Sequence, residues 1–208
     1  MVAAAVVGAL FIMSQSPQNI RRSIRAERRA LPAAVHQSFS EKICQHISSS
    51  PQFRRARRIA LYLPNDGEID LQPLIHEAWA RNKRCYLPVL MPFNENRLWF
   101  APLEPGERMV LNRFGILEPD RNWYQMAKLW SIDLLLMPLV AFDSSGTRMG
   151  MGGGFYDRSF AYLRQRGHWR KPHLLGTAFE LQRVEGLPRQ QWDIPLHSVV
   201  TERGLWNL

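Results

Sequence analysis

From Leu134 to Phe142 the chain reads Leu-Leu-Leu-Met-Pro-Leu-Val-Ala-Phe, an uncharged run bounded by Asp133 and Asp143. A strand with one solvated face alternates apolar and polar side chains. An unbroken apolar run suits a strand covered on both faces, as in the middle of a parallel sheet. A chain that holds such a strand must also supply helices for both sides of the sheet.

The rest of the sequence alternates accordingly. Ile20, Ile24 and Leu31 recur at helical spacing, and Val35, Phe39, Ile43 and Ile47 continue it beyond Pro32, which suits the first turn of a second helix. Ile59 to Leu63 reads as a short strand ending in the turn residues Pro64-Asn65-Asp66-Gly67, so Glu68 falls in a post-strand loop. Asp70 caps an expected helix over Leu71 to Asn82, with Leu74, Ile75, Ala78 and Trp79 inward. Strands are expected over Cys85–Leu90 and Arg97–Ala101 around a turn at Met91–Asn96, and later over His173–Ala178 and Ser198–Thr201. The expected fold is one three-layer α/β domain over residues 16–208, with an open, mostly parallel sheet and helices on both faces. Ligands of such sheets bind beyond the carboxyl ends of the strands, where Glu68 and a second feature both fall.

That feature is Arg148-Met149-Gly150-Met151-Gly152-Gly153-Gly154-Phe155-Tyr156-Asp157-Arg158. It lies between the apolar run and an expected helix over Tyr156–Gln165. Unpaired amides and a helix dipole at such a junction stabilise an anion, and glycine permits close approach of a ligand to the backbone. The run has neither the Lys-Ser/Thr ending of a Walker loop nor dinucleotide-fingerprint spacing, so alone it is a phosphate cradle or a flexible turn. Asp157 beside it and Asp193 further on offer hard oxygens of the kind magnesium takes, and a salt bridge is the plainer reading of each.

Charge is uneven. Of the formal +9, most comes from the first 60 residues, where ten Lys and Arg face only Glu27 and Glu41. Such an arm suits RNA, an acidic membrane surface or a polyanionic small molecule, but it lacks the interleaved aromatics that stack on bases. Arg21, Arg25 and Arg28 share one helical face and can point together at one anion. Cys44 and Cys85 form no CxxC pair, which fits a reducing cytoplasm. Residues 1–15 open on an apolar stretch too short to span a bilayer and without the leading positive charge of a signal peptide. They are expected to be a disordered extension or a mis-assigned start, with Met13 the alternative initiator. No Ser-His-Asp, nucleophile-elbow or zinc spacing is found among the histidines and serines.

In order and spacing, Arg21-Arg22-Ser23-Ile24-Arg25, Gly67-Glu68, Pro138–Asp143, Arg148–Arg158 and Trp192-Asp193-Ile194-Pro195 resemble the 5-formyltetrahydrofolate cyclo-ligase family over about residues 20 to 201. The resemblance implies ATP- and magnesium-dependent closure of 5-formyltetrahydrofolate to 5,10-methenyltetrahydrofolate, with ADP and phosphate released, through attack of the formyl oxygen on the γ-phosphoryl group. It implies ATP contacts at Arg21, Arg22, Ser23, Ile24 and Arg25 and at Arg148, Met149, Gly150, Met151, Gly152, Gly153, Gly154, Phe155 and Tyr156. It implies folate contacts at Leu63, Glu68 and Met151 to Phe155, magnesium at Asp157 and Asp193, and catalytic roles for Arg148, Tyr156 and Asp157. A monomer with small-molecule partners, and with neither nucleic acid nor membrane, is expected. Many members carry basic residues where this chain has Met151 and Gly153, so phosphate contacts here are expected from backbone amides, Arg148, Arg158 or the arm. A sugar-phosphate isomerase, a CoA-transferase-like enzyme and a basic RNA-binding module stand as alternatives.

Overall fold

The computed structural model describes residues 16–90, 96–165 and 171–208; the extension expected at 1–15 and nearly all of the turn expected at 91–96 lie outside them. The chain opens with α1, Pro17–Arg29, whose N-terminus is closed by Ser16 Oγ accepting the Asn19 amide and by proline at the first helical position. Helix α2, Ala33–Ser49, follows Pro32 directly, and α3, Pro51–Arg55, is capped by Ser50. Helix α4, Gln72–Ala80, is shorter than expected, and the Asp70 carboxylate accepts the Gln72 amide at 2.9 Å just before it.

Seven strands form the main sheet in the order β11-β10-β9-β6-β1-β2-β3. They are β1 Arg58–Ala60, β2 Arg84–Leu90, β3 Leu98–Leu103, β6 Leu134–Pro138, β9 His173–Thr177, β10 Ser198–Thr201 and β11 Gly204–Asn207. The five inner strands pair in parallel, and the edge strands β3 and β11 are antiparallel. As the apolar run requires, β6 is central: Leu134 and Leu136 join α2 and α4 in one core with Ile43, Ile47, Leu74 and Ile75. Leu135 and Met137 face the opposite core with Phe100, Phe160 and Ile194. The period of two thus divides one strand between two cores.

Two local expectations are corrected, and two further features add to the fold. The apolar run is not one strand: β6 ends at Pro138, which has no N–H to donate to a ladder. Ala141–Phe142 then forms β7, paired antiparallel with β8, Arg148–Met149, around a turn tied by Asp143 Oδ1 to the Ser145 and Thr147 amides. The helix expected at Tyr156–Gln165 is two pieces, α5 Phe155–Ser159 and α6 Tyr162–Gln165. Ser159 Oγ bonds back to the Phe155 carbonyl at 2.7 Å while accepting the Leu98 amide, which draws this turn to the sheet edge instead of onward as a helix. The hairpin of β4, Met109–Leu111, with β5, Leu117–Pro119, and the strand β11 were not foreseen. Finally, Ile20 and Ile24 pack with Val140, Ala141 and Met149 in a small third core, so α1 rests on the β7–β8 hairpin and Arg21 lies beside the glycine run.

Candidate active site

Chain order reverses about β1: β2 pairs on one side of it and β6 on the other. The loops after β1 and β6 therefore leave in opposite directions and open a crevice at the carboxyl edge of the sheet. A cleft of about 1220 Å³ fills it. Leu63, Asp66 and Glu68 arrive on the loop after β1, and Arg148 through Arg158 arrive through the β7–β8 hairpin. Phe114 and Leu117 of the β4–β5 hairpin, Arg97 and Trp192 complete the wall.

The glycine run follows β8 rather than the central strand, and the five-residue α5 has too few aligned peptides for a substantial dipole. Any anion affinity here rests on loop amides and guanidinium groups. Gly152 takes φ +98, and a Cβ there would stand 3.7 Å from the Arg21 guanidinium; Gly154 takes φ +65, and a Cβ there would displace the Arg158 guanidinium. Arg21 Nε donates to the Gly150 carbonyl at 2.8 Å, and Arg158 donates two bonds to the Gly153 carbonyl, at 2.9 and 3.0 Å. Arginines from outside the loop thus flank the stretch that lacks basic residues at Met151 and Gly153.

Arg148 is 6% exposed, and its terminal nitrogen is 2.7 Å from Asp157 Oδ1, which also accepts the Ile194 amide at 3.1 Å. Its Nε is buried without a hydrogen-bond acceptor. An orphaned donor of that kind in a cleft wall suits an arriving anion. Asp193 Oδ2 accepts the Gln190 amide at 2.8 Å, and both aspartates line the cleft. Among the described residues no three His, Cys, Asp or Glu side chains gather as a metal cluster.

Glu68 is half-buried, with Oε2 accepting the Asn65 amide at 3.2 Å. Burial pushes its carboxyl up to about 7, the Arg28 charge opposes this, and Asp66 adds to it. Burial likewise raises the Tyr156 hydroxyl above its ordinary value, with the Glu68 charge adding.

The arm divides. Arg21 reaches the cleft, but Ser23 Oγ is spent on Glu27 and Ile24 is buried in the third core, so neither expected ATP contact lines a cavity. The anion that Arg25 and Arg28 share is Asp66, with Arg25 Nε at 2.7 Å from Oδ2 and Arg28 at 3.1 Å. Arg29 joins the same carboxylate. Arg22 and Arg25 instead line a second cavity of about 370 Å³ with Gln18, Arg21, Arg29 and Met151. Sequence reasoning also missed Phe114. The only local signal was the Asn112–Gly115 turn, in which Asn112 Oδ1 accepts the Phe114 and Ile116 amides and Gly115 takes φ +71.

An open parallel sheet whose reversal point holds a deep cleft, with guanidinium groups on one wall and aromatic rings on another, defines an α/β enzyme of the switch-point type. The model of the 5-formyltetrahydrofolate cyclo-ligase family matches residues 13–202, and the chain belongs to that family. It is 42% identical to the 5-formyltetrahydrofolate cyclo-ligase of Escherichia coli K12 over 88% of this chain and 99% of that one. It is 40% identical to the Haemophilus influenzae protein of the same name over 90% and 98%. Among solved structures it resembles the Aquifex aeolicus 5,10-methenyltetrahydrofolate synthetase, with a TM-score of 0.76, 31% identity and 92% of each chain covered. Family membership selects the cyclo-ligase over the isomerase and CoA-transferase alternatives.

Proposed function

We propose that this cleft closes 5-formyltetrahydrofolate to 5,10-methenyltetrahydrofolate, coupled to cleavage of ATP to ADP and phosphate. The observation that carries the reading is the meeting of Glu68 with Arg148 and the glycine run in one switch-point crevice. An ionised Glu68 accepts the amino and ring N–H groups of a pterin, and Phe155, Phe114 and Trp192 offer faces for its rings. Arg21, Arg148, Arg158 and the open loop amides hold the phosphates and neutralise charge as the formyl oxygen takes the γ-phosphoryl group. The second folate nitrogen then attacks the activated carbon, and phosphate leaves with the former formyl oxygen. Positioning of the two substrates is the main task.

Asp157 and Asp193 fit magnesium, because a hard cation of that kind keeps waters and substrate phosphates and needs only one or two carboxylates. Bound there, it would supply positive charge to offset that of the phosphates. Arg148 holds the Asp157 carboxylate in place. We also propose a reducing, cytoplasmic setting, supported by Cys44 and Cys85 being buried free thiols, each pushed by burial up to about 12. The deciding assay mixes the protein with 5-formyltetrahydrofolate, ATP and magnesium and follows the methenyl chromophore. No turnover with fresh substrate refutes the reading.

A further inference from the structure

Asp66 stands where the two cavities approach each other. It sits on the wall of the main cleft, whereas two of its three arginine partners, Arg25 and Arg29, line the smaller cavity on the outer side of α1. Its third partner, Arg28, is 1% exposed and is held three further ways: by the Asp66 carbonyl at 2.7 and 3.0 Å and by the Leu139 carbonyl at 3.4 Å. Two residues on, Glu68 belongs to the same turn, closed by the Glu68 amide on the Asn65 carbonyl and the Asn65 amide on Glu68 Oε2. One carboxylate therefore ties the arm to the turn that carries Glu68.

We propose that Asp66 is a positioning residue coupling the arginine cavity to the Glu68 turn: it is the protein's own anion beside that cavity, and an entering polyphosphate competes with it for Arg25 and Arg29. The inference rests on the proposed reading of the cleft as a nucleotide and folate site. A cavity whose lining holds four arginines and no acidic residue attracts anions, and the Asp66 charge paired with two of those arginines lowers that attraction. When phosphate draws Arg25 and Arg29 away, Asp66 keeps Arg28, because that guanidinium is buried and bound by backbone carbonyls. The turn stays attached while its electrostatics change. Glu68 is faced by Arg25 and Arg28 from α1, Tyr62 from the end of β1, Tyr156 from α5 and Asp66 beside it, and His36 of α2 bonds its main-chain carbonyl. Asp66 raises the Glu68 carboxyl, and Arg25 and Arg28 lower it. Any anion that rearranges these partners alters the charge available to the pterin, and linkage makes the effect reciprocal.

Asp66→Asn removes the charge and keeps an amide that tolerates the local φ of +55. Calorimetric binding of inorganic tripolyphosphate reads the cavity without turnover, and the pH profile of kcat/KM for 5-formyltetrahydrofolate reads Glu68. Tripolyphosphate is expected to bind the variant about 3- to 10-fold more tightly, the scale of one unit charge removed nearby. The lower pH limb is expected to move to more acidic pH. A purely structural role would weaken both ligands and leave the limb in place. Unchanged or weaker tripolyphosphate binding in a variant that melts with the wild type overturns the inference. Asp66→Gly, which suits the same φ and keeps the carbonyl that Arg28 binds, makes the same prediction if the Asn variant does not fold. Wild-type protein that binds tripolyphosphate but never turns over refutes the cyclo-ligase reading alone, and an Asp66→Asn protein identical to an active wild type refutes the coupling alone.

Discussion

Arg148 and Asp157 close the glycine run on itself: nine residues apart, they form a largely buried ion pair at 2.7 Å across Gly150 to Gly154. The pair fixes both ends of a loop whose glycines would otherwise leave its geometry open. It also joins a residue suited to phosphate to one suited to magnesium. Asp157→Asn retains an acceptor for the Ile194 amide but removes the charge, leaving the Arg148 guanidinium buried without its counter-ion. We expect kcat to fall by about 100-fold or more, within the range reported for lost transition-state electrostatics. A steady-state titration with magnesium should show a raised half-saturating concentration, and an unchanged magnesium dependence would remove Asp157 from the metal site.

Glu68 gives a pH prediction in two parts. Its carboxyl is raised from the ordinary 4.5 to about 7, so the folded protein binds more protons than the unfolded chain between those values. Stability from this group is therefore lost as pH rises through that window. Folate binding runs the other way, because only the ionised carboxylate is a full acceptor for the pterin. Glu68→Gln should raise the KM for 5-formyltetrahydrofolate by about 10- to 100-fold, the scale of lost hydrogen bonds to a charged group, with a small change for ATP. It should also abolish the limb of kcat/KM near pH 7. A folate KM equal to wild type would show that Glu68 does not hold the substrate.

How much of this was legible depended on the reach of each interaction. The Leu134–Met137 run declared a strand buried on both faces because every side chain there reports its own burial. Glu68 could be placed in a post-strand loop from turn chemistry, whereas the glycine run follows the β7–β8 hairpin instead of the central strand. Asp66 could not be seen as the partner of Arg25, Arg28 and Arg29, because those contacts span about 40 positions and depend on how α1 seats against the β7–β8 hairpin. The same limit hid that two of the three arginines expected to share one anion, Arg25 and Arg28, meet a protein carboxylate, while Arg21 reaches the cleft. Helix α5 ends early through Ser159, whose hydroxyl is recruited by Leu98 from 61 residues away.

At the opposite edge of the sheet, His173 and His197 stack with ring centroids 5.0 Å apart, and Leu174 donates its amide to His197 Nδ1 at 2.9 Å. That bond requires an unprotonated Nδ1. Burial lowers the His173 ring to about 4, with the His197 charge contributing, and burial lowers His197 as well. Both rings then bind fewer protons folded than unfolded. Their contribution to stability is complete above the ordinary 6.5 and is lost as pH falls from there toward about 4. In Glu68→Gln protein, which lacks the opposing carboxyl contribution over the same window, the urea midpoint should be lower at pH 5 than at pH 7. Adding His197→Asn, whose side-chain carbonyl can replace Nδ1 as acceptor, should give a smaller difference; an equal one would clear His197 of the acid sensitivity.

Arg21 tests how this chain works without basic residues at positions 151 and 153. Its guanidinium bonds the Gly150 carbonyl, lies beside Gly152 and contributes to the walls of both cavities, so it stands where a loop-borne cation would otherwise act. Arg21→Ala removes that cation together with a side chain that supports the loop. The KM for ATP should rise by about tenfold or more, as one charge-assisted contact to phosphate is lost, while the folate KM changes little. Supporting the loop and supplying charge can be separated. In Met151→Lys/Arg21→Ala protein, a lysine placed on the loop restores charge without restoring the Gly150 bond. Recovery of the ATP KM would assign Arg21 a charge role that the helix supplies in place of the loop. Failure to recover, with the single Arg21→Ala protein still impaired, would assign it to holding the Gly150–Gly152 backbone instead. An ATP KM unchanged in Arg21→Ala would refute both.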